Sequence, residues 1–402
     1  MQKHDVIILG GGLVGLTLAI ALDAHGLSSA VIDPLPSETA LAPQFDGRAS
    51  AIASASWRML ETIGVAEALK PHGCAIRRIE VRDGIQREAL DFTVADRDEP
   101  LGTMLENRVL RKTLREAAAA AKSVTMHVPA RATRVERDAH GVQVELDTGE
   151  MITSPLVIAA EGRNSPMRVA AGIKIANWRY DHVAIISAFD HSRDHDHVAH
   201  EIFYPAGPFA LLPLLPGTRS ALVWTVKAKD APGVLALSEK AFLAEISQRA
   251  GGLLGNVSLA APRSSYPLGF HHAATITAER LALVGDAAHG IHPIAGQGLN
   301  LGFRDVAALV EVLVDGARLG LELADAQLLA RYQRWRSLDS LAVSVATDGL
   351  NRLFGVPGRP ARAIRRFGMG AVQRITPLKQ FFMAEARGTS GDLPKLLQGA
   401  MA

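Results

Sequence analysis

One cysteine, Cys74, stands among 402 residues. An intrachain disulfide and an internal thiol–disulfide couple are therefore both excluded, which suits a reducing compartment. Charge of one sign is lacking too: the formal net charge is +2, too small for polyanion binding by bulk attraction, so no nucleic-acid partner is expected. Long apolar runs are also missing. The 17-residue uncharged stretch from Val6 to Leu22 is interrupted by Gly10 to Gly12, which argues against a spanning helix, and no positively charged leader accompanies it. The expectation is a cytoplasmic protein. Internal repeats and low-complexity linkers are absent as well.

What is present is a globular composition, 48% hydrophobic and 21% charged, in a chain long enough for two domains. Its charge is uneven. Residues 351–402 hold nine Lys/Arg against two Asp/Glu, a local balance of +7, while the remainder stands at −5.

Asp5 to Leu9 reads as a buried strand, Leu13 to His25 as a helix stopped by Gly26, and Ser29 to Asp33 as a second strand ended by Pro34. Residues 45–72 read as mostly helical, with Ser56 to Leu69 the core of that stretch, and further helices are predicted over 107–121 and around 238–250, and from about 298 onward. Leu156 to Ala160 and Leu281 to Val284 are buried-strand runs. Residues 125–150 read as hairpins, and 180–268 is dominated by strands. The pattern predicts an α/β chain: a Rossmann-like domain from 1–73, 101–178 and 270–345, and a mostly antiparallel substrate domain from 74–100 and 179–269. Residues 346–402 form a helical, basic tail.

Between the first strand and helix lies Gly10-Gly11-Gly12-Leu-Val-Gly15, a G-x-G-x-x-G fingerprint. Gly10 permits the tight turn, Gly12 lets a pyrophosphate approach the backbone, and Gly15 allows close helix–strand packing. Asp33, 23 residues after Gly10, is placed to accept from a ribose hydroxyl. A second constellation runs from Leu281 to Gly302. A strand delivers Asp286 toward a ribityl hydroxyl, and a loop with Pro293, Gly296, Gln297 and Gly298 enters a helix. The amides of Gly298, Leu299 and Asn300 then lie at a helix N-terminus, a dipole end that favours negative charge on a reduced flavin. This second loop points to FAD rather than NAD. No second glycine fingerprint follows a strand, so a separate nicotinamide domain is not expected.

These residues resemble the single-component flavoprotein hydroxylases of the p-hydroxybenzoate hydroxylase fold over nearly the whole chain. Within that group, Phe45-Asp-Gly-Arg-Ala-Ser-Ala-Ile-Ala53, the run from His292 to Asp305, Gly207-Pro-Phe-Ala-Leu-Leu-Pro-Leu214 and Leu222-Val-Trp224 are similar to the ubiquinone-biosynthesis hydroxylases. The resemblance implies Arg48 near the flavin or its phosphates and Arg111 near the pyrophosphate. It also implies a third motif linked to FAD and reduced nicotinamide, here Glu161-Gly162-Arg-Asn-Ser-Pro-Met-Arg168. The family has Asp where this chain has Glu161, which puts direct use of NADPH in question. The implied reaction is hydroxylation of a polyprenylated phenol in ubiquinone biosynthesis, with reduced FAD and O2 forming a C4a-hydroperoxide. NAD(P)H or an external donor supplies electrons. No catalytic base stands out.

Rival readings are a hydroxylase of a small soluble phenol, a flavoprotein reductase or electron carrier, and a non-catalytic FAD-bound assembly subunit. Asp190 to His200 contains four His and three Asp, but reads as a polar connection, and no metal is expected. His289 and His292 border the second loop and read as groups that satisfy backbone atoms. In the tail, Arg359, Arg362, Arg365, Arg366, Arg374 and Lys379 interleave with Leu353, Phe354, Ile364, Phe367, Met369, Phe381, Phe382 and Met383. That mixture describes either a solvated helix or a surface for the inner face of the cytoplasmic membrane, where other ubiquinone-biosynthesis proteins are candidate partners.

Overall fold

The computed structural model describes residues 2–36, 44–84, 89–95, 97–290, 297–337, 368 and 370–402. The unbroken apolar runs of the sequence meet in one six-stranded sheet. Its order is Thr277–Ala278, Leu281–Leu283, Leu156–Ala159, Val6–Leu9, Ser29–Ile32, Val124–His127. All pairs are parallel except that of Thr277–Ala278. A parallel sheet is covered on both faces, so its strands are apolar throughout rather than alternating. All four residues of Val6–Leu9 are accordingly buried. That strand pairs with Ser29–Ile32 on one side and Leu156–Ala159 on the other. Chain order reverses there, and the crevice for a ligand opens beyond its C-terminal end.

An eight-stranded sheet holds the second core. Its order is His289–Gly290, Val257–Ala273, Ile175–His191, Arg219–Lys227, Gly207–Leu214, Val198–Tyr204, Arg78–Asp83, Leu90–Thr93. Pairing is antiparallel except between Val198–Tyr204 and Arg78–Asp83. One face packs Phe189, Phe209 and Trp224 against Phe242 of the helix Glu239–Arg249. On the other face Ala199, Leu214 and Ala221 join Cys74, Met104, Phe45 and Ala51. Those last residues belong to or adjoin a small sheet of Ala49–Ala53, Gly102–Glu106 and Cys74–Ile76. The α/β expectation with an antiparallel second sheet is met.

Three local expectations change. The stretch 45–72 is not helical at its start: Ala49–Ala53 is a strand paired antiparallel with Gly102–Glu106. The helix predicted over Ser56 to Leu69 is two pieces, Ser54–Thr62 and Ala66–Leu69, because Gly64 takes φ +78, a left-handed conformation that ends a helix. The histidine-rich connection is shorter than read, since strands reach His191 and resume at Val198. Its rings bond neighbours: His191 to Arg193 O and Ser220 Oγ, His195 to Leu214 O.

Of the basic tail, Arg359, Arg362, Arg365 and Arg366 lie outside the described residues, as do Leu353, Phe354, Ile364, Phe367 and Met369. The helix Thr376–Arg387 is described. Its Phe382 packs on Phe92, and Lys379 pairs with Asp91 at 3.7 Å. Phe381 is exposed. Among the described residues, no helix is long and apolar enough to cross a membrane.

Candidate functional site

Three glycines of the fingerprint have three different surroundings. Gly10 turns at φ +109, and a Cβ there would lie 2.4 Å from the carbonyl oxygen of Ala160. A Cβ on Gly15 would lie 2.0 Å from Gly10 O, so helix and strand touch there. Gly12 is different: nothing lies within 4 Å of its Cβ position. It is the N-cap of the helix Leu13–Asp23 and offers no side-chain cap. A helix start whose amides carry a partial positive charge thus faces open space. The protein leaves at Gly12 the room that a pyrophosphate oxygen needs.

Asp33 orders this loop before meeting any ligand. Its Oδ2 accepts from Gly11 N at 2.6 Å and its Oδ1 from Leu35 N at 2.7 Å. A carboxylate has about four lone-pair sites, so acceptors for a ribose hydroxyl remain.

The second loop is held from behind. Asp286 is exposed in the turn Gly285–Ala287. Its carbonyl oxygen lies 2.8 Å from His271 Nε2, while buried Arg168 donates to Ala287 O at 2.9 Å. Below them Asp305 accepts from Gly285 N, from His289 Nε2 and from Arg336 Nε, at 2.9, 2.7 and 2.7 Å. Burial alone would raise the Asp305 carboxyl, but His289 and Arg336 outweigh it and hold it below the usual carboxylate range. Buried Tyr332 donates to Leu283 O at 2.8 Å. The two loops meet at Val14, whose Cγ2 lies 2.8 Å from the Cβ position of Gly302 and 3.1 Å from that of Gly285.

The Glu161 motif serves the same loop. Glu161 Oε2 accepts from Ser165 Oγ at 2.6 Å and Met167 N at 3.1 Å. Ser165 Oγ in turn accepts from Arg168 N, and Gly162 turns at φ +83. The added methylene of Glu lets one carboxylate oxygen span the first turn of the helix Pro166–Ala170. Arg168 is thereby aimed at Ala287.

Arg48 pairs with Asp46, with Nε 2.7 Å from Oδ2. Arg111 is held below the usual guanidinium range by burial and then by the charge of Arg48. Asp46 acts electrostatically on both guanidinium groups, so Arg48 and Arg111 belong to one charged group. The helix Gln297–Arg318 begins at the predicted loop. Gly298 has open space at its Cβ position. Asn300 is already used through its side chain: Oδ1 accepts from Ala53 N and Nδ2 donates to Ala51 O, both at 2.8 Å. Leu299 lies in the same turn. Pro293 and Gly296, with His292, lie outside the described residues. The open Gly12, the helix start without a side-chain cap and exposed Asp286 together suit the dinucleotide expected from the sequence.

Asp305, Arg336, His271 and Tyr332 were not singled out from the sequence. A lone Asp or Arg on a helix reads as a surface charge. Only the fold brings Arg336, 31 residues on, against Asp305. Asp305 does close the run from His292 that was noted for its resemblance, which was the one available signal.

Comparison with known proteins yields a consistent picture. The family model described as FAD binding domain matches residues 3–344. The chain is 45% identical to the ubiquinone hydroxylase UbiL of Rhodospirillum rubrum over 398 residues, 98% of this chain and 92% of that protein. It is 35% identical to the 3-demethoxyubiquinol 3-hydroxylase of Escherichia coli, over 96% of this chain and 99% of the other. Among solved structures, PqsL of Pseudomonas aeruginosa, a probable FAD-dependent monooxygenase, shares the fold. Its TM-score is 0.77 at 24% identity, covering 88% of this chain and 97% of that one.

Proposed function

The chain belongs to the FAD-binding-domain family of flavoprotein monooxygenases and, within it, to the ubiquinone-biosynthesis hydroxylases, and from that premise we propose its substrate and the duties of its residues. It is an FAD-dependent hydroxylase. The proposed substrate is a phenol ring bearing a polyprenyl chain, an intermediate of ubiquinone. Bound FAD, once reduced by NAD(P)H or another donor, supplies the electrons that split O2, one oxygen going to the ring and one to water.

In this reading the residues bind, orient and exclude water. Gly10, Gly11, Gly12 and Gly15 shape the loop for the pyrophosphate, Asp33 takes the ribose, and Arg48 and Arg111 balance the phosphate charge. Asp286 takes the ribityl chain, and the amides of Gly298 to Asn300 face the ring system. Gln297 leads into that turn, and Pro293 and Gly296, outside the described residues, keep the cofactor role expected of them from the sequence. Arg168, His271 and Asp305 position the loop through its backbone. Glu161 and Gly162 aim Arg168, which supports a structural duty for this motif ahead of a direct nicotinamide contact. The apolar cluster of Phe45, Ala51, Met104, Leu214 and Ala221 packs between the sheets, and we place the ring of the substrate against it. The discontinuous division at 1–73, 101–178 and 270–345 against 74–100 and 179–269 is carried as part of the same proposal.

The observation that carries the proposal is the convergence of fingerprint and second loop at Val14, Gly285 and Gly302, which would close both over one cofactor. The readings as a small-phenol hydroxylase, a reductase or an assembly subunit are not favoured. We propose further that the chain meets its substrate peripherally at the inner face of the cytoplasmic membrane. The +7 balance of residues 351–402 supports this. The test is metabolic. Cells lacking the chain should accumulate a prenylated intermediate one ring hydroxyl short, restored by the wild-type copy and not by Gly12→Val. Unchanged quinone levels would refute the assignment.

A further inference from the structure

The strand Val198–Tyr204 lies inside the eight-stranded sheet, between Gly207–Leu214 and Arg78–Asp83. Successive side chains alternate between faces. Ile202 belongs to the core under the helix Glu239–Arg249, and Ala199 to the opposite cluster with Phe45, Ala51 and Met104. Glu201, two residues from Ala199, therefore faces that second cluster. Its cross-strand neighbours are apolar: Ala210 on one side and Val81 on the other, with Val223 beyond Ala210. The carboxyl's immediate cross-strand surroundings are hydrocarbon.

No hydrogen bond or ion pair ties the Glu201 side chain among the described residues. Its side chain keeps some accessible surface, yet the surrounding protein desolvates the carboxyl and pushes it up to about 7. Strand register thus leaves a partly accessible carboxyl among apolar neighbours. Other charges on this face sit at its rim: Asp83 two positions from Val81, and Arg219 paired with Asp190; Asp91, in register with Glu80 and paired with Lys379, lies on the other face. Arg78, Glu80, Arg82 and His200 occupy the opposite face. The wall is also joined to the flavin side. Ala51 belongs to its cluster, and Asn300 at the start of the flavin helix bonds Ala51 O.

We propose that Glu201 is a catalytic residue that accepts the proton of the substrate's phenolic hydroxyl. This deepens the hydroxylase reading above and rests on it. The O–H bond breaks, the proton joins a carboxylate oxygen, and the electron pair stays on the phenolate oxygen. From there it enriches the ring carbon that forms the new C–O bond, with O2 and the two electrons of the flavin already part of the reaction. As the ring regains aromaticity, that carbon loses its hydrogen as a proton to water, and Glu201 returns its own proton to the original oxygen. A carboxyl near neutrality, held in a dry site, is matched to such a transfer.

The test uses the FAD-loaded full chain, a soluble short-prenyl phenol and its ring-fluorinated analogue, whose hydroxyl ionises more readily. In the wild type, kcat/KM should rise with pH through a midpoint near 7. Glu201→Gln should keep stoichiometric flavin, lose that limb, and drop kcat by about 10²-fold, within the range for a lost general base. On the fluorinated phenol the loss should shrink to below about tenfold. A Glu201→Gln enzyme with wild-type turnover and pH profile would overturn the assignment, as would equal loss on both phenols. A flavin-loaded wild type that hydroxylates neither phenol would instead overturn the parent reading, and this one with it.

Discussion

Arg336 donates from Nε to Oδ1 of Asp305 at 2.7 Å, with both side chains buried. The pair leaves Oδ2 of Asp305 for His289 and for the amide of Gly285. Gly285 immediately precedes Asp286. A salt bridge that reads as core structure thus fixes the backbone presenting a proposed cofactor ligand.

Asp305→Ala should therefore damage both stability and flavin binding. Removing one partner of a buried ion pair costs about 3–5 kcal/mol, measured by denaturant unfolding of the apoprotein. The double variant Asp305→Leu/Arg336→Met should regain much of that stability, since no buried charge is left alone. It should not regain FAD affinity, because the loop would still lack its acceptor. Full recovery of both would show that the pair does not position the loop.

Gly12→Val should leave the fold intact and empty it of flavin. Its Cβ position is free of protein atoms, and its φ of −77 is open to any residue. Flavin absorbance per chain and the apoprotein melting temperature separate the two effects. Retained stoichiometric FAD would contradict the placement of the pyrophosphate.

Asp286→Ala removes one charge-assisted hydrogen bond, worth about 1.5–3 kcal/mol. FAD affinity should fall by about tenfold to about 150-fold in a flavin titration, with protein stability little changed because the side chain is exposed. An unaltered affinity would remove Asp286 from the cofactor site.

Glu201 should leave a mark on stability as a function of pH. Its carboxyl is raised in the folded chain from an ordinary 4.5 to about 7. Its contribution is therefore fully present below pH 4.5 and is lost as pH rises through 7. Glu201→Gln lacks that loss. The variant should melt with the wild type at pH 4 and above it at pH 8, by at most about 3 kcal/mol of stability. Coincident melting at both pH values would mean that the carboxyl is not desolvated.

If the tail meets the membrane, anionic vesicles should bind the protein better than neutral ones, and salt should release it. Each Lys or Arg at such a surface contributes about 1 kcal/mol, falling away within a Debye length. Replacing Arg362, Arg365 and Arg366 by Glu should abolish vesicle binding and slow a long-chain prenylphenol while sparing a short-chain one. Equal loss on both would return the tail to ordinary packing, of which Lys379 with Asp91 is already an instance.

Much of this was legible because local chemistry dictated it. Gly10 had to be glycine for its turn, and the apolar runs at Val6, Leu156 and Leu281 could only be buried strands. Glu161 was legible as a departure, but its use of the extra methylene to reach Ser165 depends on helix geometry. The break at Gly64 was missed because the amphipathic pattern of Ser56 to Leu69 continues across it. Asp305, Arg336 and Glu201 were not legible. Pairing across 31 residues, and the face on which a strand carboxyl falls, are set by register and packing rather than by neighbours in sequence.

The central claim is that this chain puts an atom of O2 onto a prenylated phenol ring. The direct measurement supplies the FAD-loaded protein with reductant, a prenylphenol and isotopically labelled O2, and weighs the product. One labelled oxygen in the ring product is the predicted result. Reductant consumed with no label in the ring would contradict it.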